Sequence, residues 1–387
     1  MFTIKTYNAI SNKGLGRFPA SKYVIDPAAA TPDAVMLRSF KMHAEPIADS
    51  VKAVGRAGAG VNNIPVDVMS QRGIVVFNAP GANANAVKEL VIAGMLMACR
   101  NLNKAWLYTT TLSGTDSDMS KAVEEGKKKF VGFELPGRTL GVVGLGAIGV
   151  QVANAASTLG MRVIGFDPTI TVQSAWKLSS HVEEMNSADE LFKQSDFVTF
   201  HVPLVESTKN LLNAKRLATM PDGAVILNFA REGIVDDAAV LAAIESGKVH
   251  AFVTDFPSSL LLGKQGVITL PHLGASTHEA EENCAIMIAD QLRDFLENGN
   301  ITHSVNFPNI KMARDGTCRM AIANHNQPDM IGQISHVIGQ AECNILHMSN
   351  ESKGQLAYTL IDLDLHPKQP VIDRIKAIPG VLNVRVI

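Results

Sequence analysis

The residues of this chain with chemistry to offer stand at the ends of apolar runs. Gly144-Leu145-Gly146-Ala147-Ile148-Gly149 has the G-x-G-x-x-G spacing of a phosphate-cradling turn. Gly144 permits the tight turn, Gly146 lets a pyrophosphate approach the backbone, and Gly149 lets the following helix lie close to its strand. Asp167 closes the next apolar run, where a carboxylate accepts from a ribose 2′-hydroxyl and repels a 2′-phosphate, so NAD is expected rather than NADP. Arg231 offers a two-pronged grip on a carboxylate, and His272 a proton exchanged near neutral pH. Arg38 and Arg56 flank a second glycine turn, Gly58-Ala59-Gly60-Val61, whose N–H groups suit an anion. Taken singly, each has an ordinary explanation as a surface arginine, a core histidine or a flexible turn.

The elements that must position these groups alternate. Leu140–Val143 and Arg162–Phe166 read as strands on either side of a helix rich in small residues, the first βαβ unit of a dinucleotide-binding domain. Phe197–Phe200, Ala224–Leu227 and Val267–Leu270 continue the pattern, and alternation of this kind builds a parallel sheet. His201, Arg231 and His272 each lie just past one of these strands, at the carboxyl ends where such sheets bind ligands. Before residue 80, the runs at Phe2–Tyr7, Val35–Arg38, Ala53–Arg56 and Ile74–Phe77 predict a smaller α/β domain. Ala84–Arg100 reads as a buried helix, and residues 103–136 as a surface connection.

Composition sets outer limits. With 387 residues, 46% hydrophobic and 19% charged, the chain has material for two or three buried cores. A net charge of −2 with dispersed lysines and arginines argues against nucleic acid and membrane surfaces as partners. The first residues lack the apolar core of a signal peptide, and Val91–Cys99 is too short to span a bilayer, so a cytoplasmic protein is expected. Cys99, Cys284, Cys318 and Cys343 have no metal-ligand spacing, so no metal is expected.

In this order the motifs resemble those of the D-2-hydroxyacid dehydrogenases, and within them the D-3-phosphoglycerate dehydrogenases. The matching pieces are Arg38-Ser39, Val54 to Val61, the glycine turn with Asp167, His201-Val202-Pro203-Leu204, Asn228 to Gly233, and Pro271 to Thr277. The resemblance implies two Rossmann-like domains. Residues 1–85 and 275–304 would bind substrate and 86–274 would bind NAD, with the active site in the cleft between them. It gives Arg231 the substrate carboxylate and carbonyl, and His272 the proton of the C2 hydroxyl. Cofactor contacts would fall on Gly144, Gly146, Ala147, Ile148, Gly149, Asp167, His201, Pro203, Phe229, Ala230 and Asp255. Arg38, Ser39, Arg56, Ala59 and Gly60 would hold the rest of the substrate, a phosphate included. The alternatives are another 2-hydroxy acid, such as glycerate, lactate or 2-hydroxyglutarate, or a non-catalytic NAD sensor. One departure stands out: the stretch Thr254 to Leu260 lacks the glutamate that the family uses to polarise its histidine. Glu279 and Glu282 are candidate substitutes, Asp255 a weaker one, and a histidine without that support would have its rate limb shifted toward acid.

Residues 305–318 read as a linker and 319–387 as β-α-β-β-α-β with a hairpin at Lys353-Gly354. This piece resembles an ACT domain through Asn326-Gln327-Pro328, Gly332 to Ala341, Asn344-Ile345 and Ile378 to Val381. The resemblance implies effector contacts at Asn326 and Asn344, L-serine as the effector, and pairing into dimers or tetramers. A purely structural pairing role is the alternative, because Asn324 and Asp329 depart from the serine-binding pattern.

Overall fold

The computed structural model describes residues 1–387. It divides into two compact units, residues 1–83 with 278–387 and residues 84–277. No helix is long and apolar enough to cross a membrane.

The first unit opens with a parallel sheet of β1 (Phe2–Tyr7), β2 (Tyr23–Ile25), β3 (Ala34–Leu37), β4 (Ala53–Arg56) and β5 (Val75–Phe77) in the order β2-β1-β3-β4-β5. The short strand β2 was not apparent in the sequence. The long helix His278–Asn298 lies on this sheet, and Gly55 makes that possible: a Cβ there would stand 2.4 Å from Ile288 Cγ2.

The second unit is a seven-stranded parallel sheet: β6 (Thr139–Val143), β7 (Arg162–Phe166), β8 (Val182–Glu184), β9 (Phe197–Phe200), β10 (Ala224–Asn228), β11 (Val249–Thr254) and β12 (Val267–Thr269). The order is β12-β11-β10-β9-β6-β7-β8, which reverses direction between β6 and β9. Its central strands are buried on both faces, the reason they read as unbroken apolar runs rather than alternations. Residues 103–136 are not a plain connection. They carry two helices, Leu102–Thr110 and Asp116–Gly126, the second started by a capping box in which Thr115 and Asp118 exchange hydrogen bonds.

The C-terminal sheet belongs to the first unit. Its strands β13 (Cys318–His325), β14 (Ile345–Lys353), β15 (Leu356–Leu363) and β16 (Val381–Val386) pair antiparallel in the order β14-β15-β13-β16, with helices Met330–Gly339 and Gln369–Lys376 completing βαββαβ. Its two faces alternate with period two. Cys318, Met320, Ile322, Ile361 and Leu363 pack under those helices, while Ala321, Ala323, Tyr358 and Leu360 join the core around the helix His278–Asn298. The preceding stretch joins that core as well, through the buried Phe307 and Ile310.

Arginines from the C-terminal piece hold the end of that long helix. The last carbonyls of a helix lack intrahelical donors. Arg385 donates to Phe295 O (3.2 Å) and Leu296 O (3.1 Å), and Arg319 to Asn298 O (3.0 Å). Arg319 is wholly buried, pairs with the equally buried Asp362 through bonds of 2.6 and 2.7 Å, and also donates to Met312 O and Ala313 O. Burial alone would raise the Asp362 carboxyl, but Arg319 and the Asp315 N–H hold it below its ordinary value. Asp362 therefore contributes stability that is present above the ordinary carboxylate range and is lost as pH falls through its folded value. Asp362→Ala strands a buried guanidinium and is expected to cost about 3–5 kcal/mol, read as a lower denaturation midpoint at neutral pH. The gap between variant and parent should narrow in acid.

Candidate active site

Every site residue expected in the second unit hangs from the carboxyl end of a strand in its sheet. Gly144 follows β6, Asp167 β7, His201 β9, Arg231 β10, Asp255 β11 and His272 β12. The direction reversal between β6 and β9 sits within this row, the position at which open parallel sheets bind ligands.

The glycine turn has the shape its spacing predicts. Gly144 has φ +92°, and a Cβ at Gly149 would lie 1.9 Å from Gly144 O, so strand and helix touch through backbone alone. Gly146 has open space where a Cβ would stand. The helix Ala147–Thr158 receives no side-chain cap, which leaves its first N–H groups to an anion. Asp167 accepts from Leu145 N (2.8 Å) and Thr169 N (2.9 Å), tying the turn to the end of β7 while keeping acceptor capacity for hydroxyls. This uncapped helix start, open glycine and strand-end acid fit a dinucleotide.

Beside the turn, His201 bonds Thr199 Oγ1 through Nε2 (3.1 Å), and burial pushes its imidazole down to about 3, so it is neutral. Pro203 lies on the exposed loop after it. The Phe229 ring is in the core against Gly94, which leaves only its backbone for a ligand; Ala230 is buried next to it.

Arg231 is exposed, with its backbone carbonyl held by the buried Asn228 (2.9 Å). His272 is exposed, has φ +47°, and packs against Phe256 with ring centroids 4.9 Å apart. No hydrogen bond from the second unit meets either of its ring nitrogens. Asp255 is 1% exposed, and burial raises its carboxyl against the opposing pull of the Gly274 N–H and of His272; it accepts from Gly274 N (3.0 Å), and its other oxygen has no hydrogen-bond partner. Of the other acids considered for His272, Glu282 is paired with Lys13 at 2.6 Å.

In the first unit, Arg38 directly follows β3 and Arg56 closes β4. Arg56 donates to Arg38 O (3.0 Å) and Gly60 O, and Asn78 donates to Ala59 O (2.6 Å). The turn's carbonyls are thus tied down, while no group of the chain accepts from the N–H groups of Ala59 and Gly60. Ser39 lies beside Arg38 on the same strand-end loop. Arg38 pairs with Glu281 at 2.7 Å, a partner that nothing in the sequence marked beyond a run of acids. Asn326 and Asn344 are not brought together: β13 and β15 pair His325 with Leu356, whereas β14 and β15 pair Ile345 with Leu363, at the other end of the sheet. At about 3.4 Å per residue these ends are about 24 Å apart.

The turn yields a paired test. Gly146→Val is expected to cost less than about 1 kcal/mol of stability while abolishing dinucleotide binding. Gly149→Val is expected to cost about 3 kcal/mol or more, because backbone cannot yield to the new side chain. Thermal unfolding and fluorescence titration with dinucleotide read the two effects separately.

Residues 92–279 match the sequence model described as "D-isomer specific 2-hydroxyacid dehydrogenase, NAD binding domain". A D-3-phosphoglycerate dehydrogenase of Methanocaldococcus jannaschii is 36% identical over 324 residues, which cover 82% of this chain and 58% of that protein. The protein of that name from Haemophilus influenzae is 30% identical over 87% of this chain and 81% of its own length. Several such relatives are longer, and the chain spans about half to three fifths of them. Among solved structures, the NAD+-bound 3-phosphoglycerate dehydrogenase of Entamoeba histolytica aligns with TM-score 0.60 and 26% identity over 79% of this chain and 98% of its own. With the glycine turn, the strand-end acid and the arginine and histidine of the same sheet in place, these matches establish that the chain belongs to the D-isomer specific 2-hydroxyacid dehydrogenase family.

Proposed function

We propose that the chain is an NAD-dependent dehydrogenase that oxidises D-3-phosphoglycerate to 3-phosphohydroxypyruvate, the entry to serine synthesis. The observation that carries this reading is the row of strand ends in one sheet, which sets Arg231 and His272 on the side of the glycine turn. The names of the relatives support the substrate.

When bound, NAD supplies the hydride acceptor. Arg231 grips the α-carboxylate of the substrate and directs the C2 hydrogen. His272 takes the proton of the C2 hydroxyl as the C–H bond breaks, so C2 loses a hydride, its oxygen loses a proton, and a carbonyl results. Asp167 selects the cofactor through its ribose. The first unit carries its own anion-binding groups, Arg38, Arg56 and the N–H groups of Ala59 and Gly60, suited to a phosphate and to further carboxylate contacts.

The chain is taken to act in the cytoplasm as a homo-oligomer, a dimer or a tetramer, with L-serine as effector at the C-terminal sheet. Because one copy holds Asn326 and Asn344 at opposite ends of that sheet, a site using both requires two copies.

The test is NADH formation from NAD with 3-phosphoglycerate, beside D-glycerate, D-lactate and D-2-hydroxyglutarate. Turnover is expected with the phosphorylated acid and is expected to fall roughly 100-fold or more in His272→Ala. Arg56→Ala should abolish the preference for phosphate. Preference for an unphosphorylated acid in the parent would reassign the substrate, and tight NADH binding without turnover would favour an NAD sensor.

A further inference from the structure

No carboxylate hydrogen-bonds the imidazole of His272, the proton acceptor of the proposed reaction, and Pro257, Ser258 and Ser259 follow Phe256. The backbone of His272 is left-handed, φ +47° at a residue with a Cβ, just after Pro271. Its N–H is shared between the main-chain carbonyls of Asp255 (2.9 Å) and Leu270 (3.2 Å), and Asp255 makes the shorter bond. The Asp255 carboxylate accepts from Gly274 N at 3.0 Å. Asp255 thus holds both the histidine and the glycine two positions after it. Phe256, next in sequence, lays its ring against the imidazole, tilted by 51°.

Asp255 is itself fixed. It follows directly on β11, a strand bonded on both sides by β10 and β12, and it is 1% exposed. Its second carboxylate oxygen is buried and without a partner, an arrangement that buried carboxylates rarely keep without a function.

We infer that Asp255 is the positioning residue for His272. It acts through the backbone of the 271–274 loop and the ring of Phe256, and not by a hydrogen bond to the imidazole. This deepens the proposed reaction and rests on it. What the loop needs from Asp255 is an acceptor at the right distance, and charge is secondary.

The experiment compares Asp255→Asn, Asp255→Ala and Asp255→Glu in the full chain, with NAD and 3-phosphoglycerate. Asparagine keeps an acceptor for Gly274 N; alanine removes it; glutamate keeps the charge and displaces it. The expected result is a kcat lowered roughly threefold in Asp255→Asn and roughly 100-fold in Asp255→Ala and Asp255→Glu, a misplacement effect. The NADH dissociation constant should stay within about threefold. A loss in Asp255→Asn as large as in Asp255→Glu would overturn the inference in favour of direct charge support. A loss confined to NADH affinity would overturn it in favour of a cofactor contact. If Asp255→Ala does not fold, the asparagine and glutamate variants decide alone. Turnover by the parent and its loss in His272→Ala test the reaction itself, so the two failures are distinguishable.

Discussion

Both faces of the central strands in the second unit are covered and largely apolar, and the few polar side chains along them, such as Thr199, are buried. Chemistry is confined to where those strands run out. Because all seven are parallel, they run out on one edge, and groups far apart in sequence, from Gly144 to His272, emerge in a single row. The close contact of Gly149 with Gly144 O is what lets the first helix start at that edge with its N–H groups unused. The rest of the site depends on this geometry: the acid after β7 is near enough to bond the turn, and the neutral histidine after β9 closes its other side.

The first unit solves a different problem. Its sheet is small, and the long helix His278–Asn298 must cover it while ending against a second, antiparallel sheet. Glycines admit the close approaches: Gly55 beneath Ile288, and Gly299, with φ +75°, against Leu360 and Ile387 of the C-terminal piece. Arginines then serve as the caps that the helix lacks in its own sequence. Guanidinium suits this, since its several donors are fixed in one plane and reach more than one carbonyl.

Much of this was legible in the sequence, for reasons that can be given residue by residue. Strands buried on both faces advertise themselves as apolar runs, and the glycine turn has few other uses, so the parallel sheets and the βαββαβ order followed directly. Three features did not show. Strand β2 has only three residues, too few for any pattern. The helices Leu102–Thr110 and Asp116–Gly126 are largely exposed, so no apolar periodicity marks them, although Thr115 and Asp118 spell a capping box. Partners chosen by tertiary structure leave no trace in local spacing: Glu281 on Arg38, Asn78 on Ala59 O, and Arg319 buried on Asp362. The left-handed backbone of His272 is likewise invisible in Pro271-His272-Leu273, as is the antiparallel return that sends Asn326 and Asn344 to opposite ends of their sheet.

The C-terminal sheet has a sequence that reads as a detachable module, but its packing is that of a load-sharing wall. One face completes the core around the helix His278–Asn298, and its arginines occupy that helix's terminal carbonyls. A gene shortened before Cys318 would yield a protein with an apolar face uncovered and a helix end unsatisfied, prone to self-association. Loss or exchange of this segment in evolution would therefore need compensating change in the helix beneath it, so boundaries between heritable modules and between physical cores do not coincide in this chain.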